Sequence, residues 1–395
     1  MRTYLDHAAT CPVRPEVAEQ LAQDLRDGLP GANPAALHAA GRRAGALLSQ
    51  ARARLAAALE VHPHEVLLTS GGTEADALAV CGRALAGREE GRRTLVLSPT
   101  EHPAVLDSAR VAQEQLGAGL RLLEVDALGR VVPASVAQAV SDGGVALVSV
   151  MAANNETGLV QDVAGLVAEV RQASGQDRPG RPGYVPVHSD VVAALGRVPV
   201  DFHGWGLDAM SLSGHKLGAP VGVGALVARR DLVLRAPVGG GRQERALRSG
   251  TQDVLGARAL ALAVELAVAE RTAQAARLEA LRGRLVAGVL ALPGARATLP
   301  PEAPHLPGTA HFWFADTDGE ALLMALDLAG VDASAGSACH AGVARPSHVL
   351  LAMGLPEAAA RATLRCSLGP TTSLAEVERL LEVLPAALET ARRAR

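Results

Sequence analysis

Lysine is almost absent from this chain. Of its 38 basic residues a single one is lysine, Lys216, and the rest are arginine. Arginine replaces lysine on solvated helix faces and in ion pairs, but its guanidinium stays protonated near neutral pH and offers no nucleophilic amine. A lone retained lysine therefore hints at amine chemistry, against the plain alternative of codon bias. Asparagine is nearly as scarce, with copies only at Asn33, Asn154 and Asn155. Aromatics are 2% of the residues and the net charge is −3, which argues against a surface that stacks nucleic-acid bases. The four cysteines, Cys11, Cys81, Cys339 and Cys366, form no CxxC pair. Neither a disulfide framework nor a thiolate metal site is expected, and a reducing cytoplasm is the natural setting. Long apolar runs are also missing, because charges interrupt each before about 18 residues. The opening Met1–His7 lacks the apolar core of a signal peptide. These absences leave a cytoplasmic protein, off the membrane, that acts on a small molecule.

What is present is enough for a large core: 395 residues, 49% of them hydrophobic, sufficient for one large domain and a smaller one. From about residue 65 to 230, β-branched runs alternate with helical patterns: 65–70 then 74–85, 94–98 then 104–116, 146–151 then 163–173. Further strand-like runs follow at 185–188, 209–212 and 224–228. Such alternation predicts an α/β fold with a mostly parallel sheet covered by helices. A long Ala/Leu/Arg-rich helix over about 254–290 links the large domain to a C-terminal one. Polar Pro/Gly breaks fall at 175–183 and 299–304.

The chemically loaded stretches sit where strands end, the place where open α/β sheets bind ligands. Ser70-Gly71-Gly72-Thr73-Glu74 reads as a strand-to-helix turn, either a phosphate cup or a plain tight turn. Asp190, in His188-Ser189-Asp190, is a carboxylate at a strand end that suits either a cofactor ring nitrogen or a helix N-cap. Ser213-Gly214-His215-Lys216 sets the lone lysine on a turn beside groups able to hold an anion, as an internal Schiff base next to a phosphate requires. Cys339 lies in the small-residue run 334–342, where a cysteine is either reactive or simply packed. Arg365 is a strand-end guanidinium suited to a carboxylate or to a structural ion pair, and Cys366 beside it reads as packed.

In their order along the chain these stretches resemble the cysteine desulfurases, members of the class V aminotransferase group of fold-type-I pyridoxal-phosphate enzymes. The likeness runs from Tyr4-Leu5-Asp6-His7-Ala8-Ala9-Thr10 to Gly369. It includes Gly31-Ala32-Asn33-Pro34 with His38, Glu101-His102, Asn154-Asn155-Glu156-Thr157-Gly158, Gln243-Glu244-Arg245 with Arg248–Thr251, and Pro346-Ser347-His348-Val349-Leu350. The resemblance implies a mostly parallel seven-stranded sheet in a large domain, 15–260. A smaller α+β domain of 1–14 and 261–395 would carry the catalytic cysteine.

The resemblance also implies pyridoxal 5'-phosphate as cofactor, with Lys216 as the Schiff-base lysine, His102 stacked on the ring and Asp190 at the ring nitrogen. Gly72, Thr73, Ser213 and His215 would hold the phosphate, with Thr251 supplied by the other subunit of a homodimer. Asn155 and Arg365 would hold the carboxylate of L-cysteine, Asn155 also touching the cofactor, and Asn33 would line the same pocket. Lys216 would move the α-proton and His102 would shuttle protons. Cys339 would take the sulfur as a persulfide, releasing alanine and supplying an acceptor such as an iron–sulfur scaffold or a thiolation protein.

The chain departs from the family pattern at several points. His7 and Ala77 stand where asparagine is usual. Ala193 stands where a glutamine reaches the cofactor's phenolic oxygen. The 175–183 loop looks inserted, and the chain ends about 30 residues after Arg365, a shorter tail than the housekeeping branch has. The competing expectations are another class V aminotransferase or lyase, or a cofactor-binding paralogue with weak turnover.

Overall fold

A computed structural model describes residues 2–336 and 346–394. Seven strands form the main sheet in the order Val66–Thr69, Gly224–Ala228, Ala209–Ser213, Val187–Asp190, Val145–Ser149, Thr94–Leu97 and Gly119–Leu122. Only Gly224–Ala228 runs antiparallel to its neighbours. This is the mostly parallel α/β sheet expected from the alternating pattern. Its central strands are buried on both faces and read as continuous runs such as Val145–Ser149, in keeping with helices on either side.

The sequence reading passed over the edge strand Gly119–Leu122 and the helices Pro15–Arg26 and Ala39–Ala58. The strand is only four residues long, Gly-Leu-Arg-Leu, and is nowhere buried. The second helix is rich in alanine and arginine, so its buried stripe of Gly41, Ala44, Leu48, Ala51 and Leu55 stands out weakly.

A second, antiparallel sheet orders Thr363–Ser367, Thr309–Phe314 and Ala295–Ala297. The N-terminal pair Thr3–Tyr4 joins this part of the molecule by pairing in parallel with Val331–Asp332. One apolar core lies around the main sheet and another around Phe312, Phe314, Leu364 and Leu384. The helix Val254–Leu290 serves both: its residues through Ala267 pack in the first core, and Leu278, Leu285 and Val289 pack in the second. Among the described residues no helix is long and apolar enough to cross a membrane.

Because the parallel strands point the same way, their carboxyl ends meet at one edge of the sheet. Ser70–Thr73, Glu101-His102, Met151–Asn155, Asp190 and Ser213–Lys216 all follow or close such strands.

Candidate active site

A cavity of about 830 Å³ opens at that edge, and its walls include Gly72, Thr73, His102, Asn155, Asp190, Ser213, His215, Lys216 and Arg365. Nine of the residues singled out from sequence thus share one space.

The cup at residues 70–73 depends on close backbone approach. Gly224 pairs with Thr69 on one side and Ser213 on the other, and a Cβ on it would lie 2.7 Å from the backbone of Gly71. A Cβ on Gly72 would meet Val192 at 3.0 Å and Ser213 at 3.3 Å. Gly72 opens the helix Gly72–Glu89, whose first N–H groups have no helical acceptors. Ser70 N–H donates to Glu74 Oε2 at 2.5 Å, and Arg248 Nε donates to Glu74 Oε1 at 2.9 Å, which fixes the turn from both sides.

Lys216 ends the turn Gly214–Lys216, and its Nζ donates to the carbonyls of Ala8 and, at 2.8 Å, Ala9. Burial, with the charges of Arg365 and Arg197, lowers it to about 8. Asp190 is buried at the cavity, and its Oδ1 accepts from Val192 N–H at 2.8 Å; the residues after it form turns rather than a helix, so it caps no helix and closes a local turn instead. Burial raises Asp190 to about 6 against the opposing Val192 bond and Lys216 charge. His102 caps the helix Pro103–Leu116, its Nδ1 accepting from Ala104 N–H at 3.1 Å, and burial with the Lys216 charge lowers it to about 4.

Arg365 is 4% exposed. Its Nη1 donates to the carbonyl of Asn155 at 2.9 Å and its Nη2 to Asp6 Oδ1 at 2.6 Å, while Nε has no partner among the described residues. The structural ion pair weighed from sequence exists, yet it leaves one buried donor at a cavity wall. Asn154 locks the turn below by accepting from the N–H groups of Glu156 and Thr157, which leaves Asn155 on display.

An amine of lowered basicity, a glycine-lined helix start, a buried carboxyl with a single N–H partner and an unsatisfied guanidinium donor match what pyridoxal phosphate and an amino acid need. The cofactor fits these residues.

Three expected residues are not gathered with the rest. Asn33 is exposed and holds its own turn, accepting from Ala35 N–H at 2.9 Å. Thr251 is exposed and does not line this cavity. Cys339 lies outside the described residues, although Gly336 and Pro346, on either side of its segment, both line the cavity.

Several residues in and beneath the cavity were given no role by the sequence reading. Arg197, one helical turn beyond the departure at Ala193, lines the wall and donates to the Ala193 carbonyl at 3.2 Å. Its spacing from Ala193 was the available signal. Asp6 grips Arg365 from 359 residues away, and nothing local announces that. Below the floor, burial and the charge of Asp190 raise Asp76 and Glu101 well above the carboxylate range. Burial holds His188 neutral, lowered to about 3, between the hydroxyls of Ser149 and Ser211.

Known proteins share this fold. The class-V aminotransferase family model matches residues 3–380. An IscS-like cysteine desulfurase of Mycobacterium tuberculosis is 45% identical over 99% of this chain and 97% of its own length. A solved NifS-like protein superposes with a TM-score of 0.89 at 32% identity, covering 98% of this chain and all of its own. A structure described as SspA in complex with cysteine gives a TM-score of 0.77 at 30% identity, covering 94% of this chain and all of its own.

Proposed function

Because the chain belongs to the class-V aminotransferase family and to its cysteine desulfurases, we propose that it converts L-cysteine to L-alanine on pyridoxal 5'-phosphate and keeps the sulfur as a persulfide on Cys339. The observation that carries this reading is the placement of the only lysine, Lys216, in one cavity with the unsatisfied Nε of Arg365.

Bound there, the cofactor supplies an aldehyde for the substrate amine and a ring that withdraws electrons from the α-carbon. Lys216 would hold the aldehyde. The phosphate would lie against Gly72, Thr73, Ser213 and His215, with Thr251 given by the partner subunit of a homodimer. Asp190 would keep the ring nitrogen protonated, a task suited to a buried carboxyl with little other compensation. Arg365, braced by Asp6 and Asn155, presents Nε to the substrate carboxylate, and Asn155 offers its side chain beside it.

With its basicity lowered to about 8, Lys216 has an appreciable neutral fraction near physiological pH and can take the α-proton. Ala8 and Ala9 offer carbonyls for the ammonium that results. Cys339, as thiolate, is the nucleophile toward the substrate sulfur. A sulfur-accepting protein, such as an iron–sulfur scaffold or a thiolation protein, would relieve the persulfide. Cys11, Cys81 and Cys366 are free thiols, which supports a reducing, cytoplasmic setting.

The experiment is to follow alanine and sulfide from L-cysteine with a reductant present. Equal release of the two that depends on added pyridoxal phosphate is expected. A cofactor-loaded protein that yields neither, or that transaminates other amino acids instead, overturns the proposal.

A further inference from the structure

The turn formed by residues 6–10 stands between two side chains that the proposed reaction uses. The N–H of Ala9 closes it by donating to the Asp6 carbonyl at 3.0 Å. The Tyr4 hydroxyl reaches across it, donating to the Thr10 carbonyl at 2.9 Å and lying 3.1 Å from the Asp6 carbonyl. The Tyr4 ring packs edge-on against His7 with centroids 5.1 Å apart, and its strand, Thr3–Tyr4, is paired with Val331–Asp332. The staple is therefore anchored outside the turn that it closes.

The turn is tied to two different parts of the molecule. On one side the N–H of His7 donates to the Ser367 carbonyl at 3.1 Å, the N–H of Ala8 donates to Ser367 Oγ at 2.8 Å, and Asp6 Oδ1 accepts from Arg365 Nη2 at 2.6 Å. On the other, the N–H of Cys11 donates to the His215 carbonyl at 2.9 Å, and Lys216 Nζ donates to the carbonyls of Ala8 and, at 2.8 Å, Ala9. Ala8 and Ala9 both line the cavity. One short piece of chain thus holds the amine with main-chain oxygens and the guanidinium with a carboxylate. A stiff turn with two such grips sets the spacing between amine and guanidinium; a loose one lets each adjust alone.

Resting on the desulfurase reading for the tasks of Lys216 and Arg365, we propose that the turn at residues 6–10 couples these two side chains, and that Tyr4, through its hydroxyl, is the positioning residue that keeps the turn rigid. When the Lys216 nitrogen leaves the Ala8 and Ala9 carbonyls, the turn loses two of its holds and Asp6 grips Arg365 less firmly. When the free ammonium returns, the grip tightens. Arg365 is then held most firmly at the stage when Lys216 is free and the substrate carboxylate has to be kept in place. The same contacts act on the amine, because carbonyls that accept from an ammonium favour its charged form and oppose the burial that lowers Lys216 to about 8. The titratable and charged groups that face Lys216 are Arg365, Arg197, Asp190, Cys11, His102 and His215, and none of them is altered by a change at Tyr4.

The test uses the cofactor-free protein beside the loaded enzyme. Labelling with acetic anhydride across pH, read on the peptide that contains Lys216, gives the midpoint of this amine with no other lysine to interfere. Tyr4→Phe keeps the ring on His7 and removes only the hydroxyl. Expected is a downward shift of the Lys216 midpoint by about 0.5–1 pH unit. KM for cysteine in the loaded variant should rise about 5- to 10-fold with a smaller change in kcat, as Arg365 loses its brace. Cofactor-free Lys216→Met removes the ammonium and nothing else from the turn. Its amide exchange over residues 5–10 and 363–369 should quicken about threefold or more, while the main sheet exchanges as in wild type. An unmoved Lys216 midpoint in Tyr4→Phe, or unchanged exchange over 363–369 in Lys216→Met, overturns the coupling. If Tyr4→Phe does not fold, the exchange in Lys216→Met decides alone. A wild type that forms no alanine from L-cysteine overturns the desulfurase reading, and the labelling and exchange of the cofactor-free protein still decide the coupling.

Discussion

Lys216 is where composition and geometry meet. Its amine is buried among the charges of Arg365 and Arg197, which disfavour the ammonium and lower it to about 8 from the usual 10.5. A lowered value means more neutral amine at a given pH. Schiff-base formation by the cofactor-free protein should therefore rise with a midpoint near 8; a midpoint near 10.5, followed by absorbance, would contradict the buried placement. The guanidinium of Arg365 is a second such point. Arg365→Lys cannot serve Asp6, the Asn155 carbonyl and a substrate carboxylate together. Loss of a charged hydrogen bond worth about 1.5–3 kcal/mol should raise KM for cysteine by roughly 10- to 100-fold, with a smaller change in kcat. Steady-state kinetics decide this, and an unchanged KM would remove Arg365 from the carboxylate site. The lysine was legible in the sequence because its scarcity is a property of the whole chain. The Asp6 clamp was not, because an ion pair between residues 359 apart is a product of the fold.

At the scale of elements, the cup works because a strand lies against a turn with no side chain between them. Gly224→Ala would drive a methyl to 2.7 Å from the backbone of Gly71 and from the Leu212 carbonyl. Overpacking of this kind costs about 1–3 kcal/mol. Denaturant unfolding should show that loss, and cofactor retention on dialysis should weaken with it; a variant of full stability and retention would mean that the cup tolerates a wider gap. The strand-turn-helix units that form this edge were readable, since apolar runs and helical patterns alternate from about 65 to 230. The edge strand Gly119–Leu122 was not, because four residues are too few to establish a period, nor was the alanine-rich helix Ala39–Ala58, whose faces differ too little.

At the scale of the molecule, the single helix Val254–Leu290 enters both apolar cores, and the N-terminal strand pairs beside the second. We propose on this basis that residues 15–260 and residues 1–14 with 261–395 act as two domains, with Arg365 and the cysteine segment carried by the second and Lys216 by the first. Thr251 and Asn33 are exposed in the single chain, and the role expected of Thr251 in a neighbouring subunit's site came only through family likeness. Mixing Lys216→Ala and Thr251→Val protomers tests that role. If Thr251 crosses to the partner's site, a mixed dimer has one doubly defective site and one intact site. Re-association should then recover activity above either variant alone. No recovery would place Thr251 outside the partner's cavity.

The claim that most needs a direct trial is that sulfur from cysteine comes to rest on Cys339. Cys366 is fully buried and pushed up to about 12, and burial raises Cys81 as well, so neither is a ready thiolate. Cys11 lies against the Lys216 backbone, its Sγ 3.1 Å from that carbonyl, and provides the stringent internal control. The measurement is peptide mapping of the cofactor-loaded enzyme after one turnover with L-cysteine, alkylated to trap persulfides, in wild type and in Cys339→Ala. The account predicts one added sulfur atom on the peptide containing Cys339, none on the other three cysteines, and no alanine burst in the variant. Sulfur on Cys11, or an alanine burst that survives in Cys339→Ala, would contradict it.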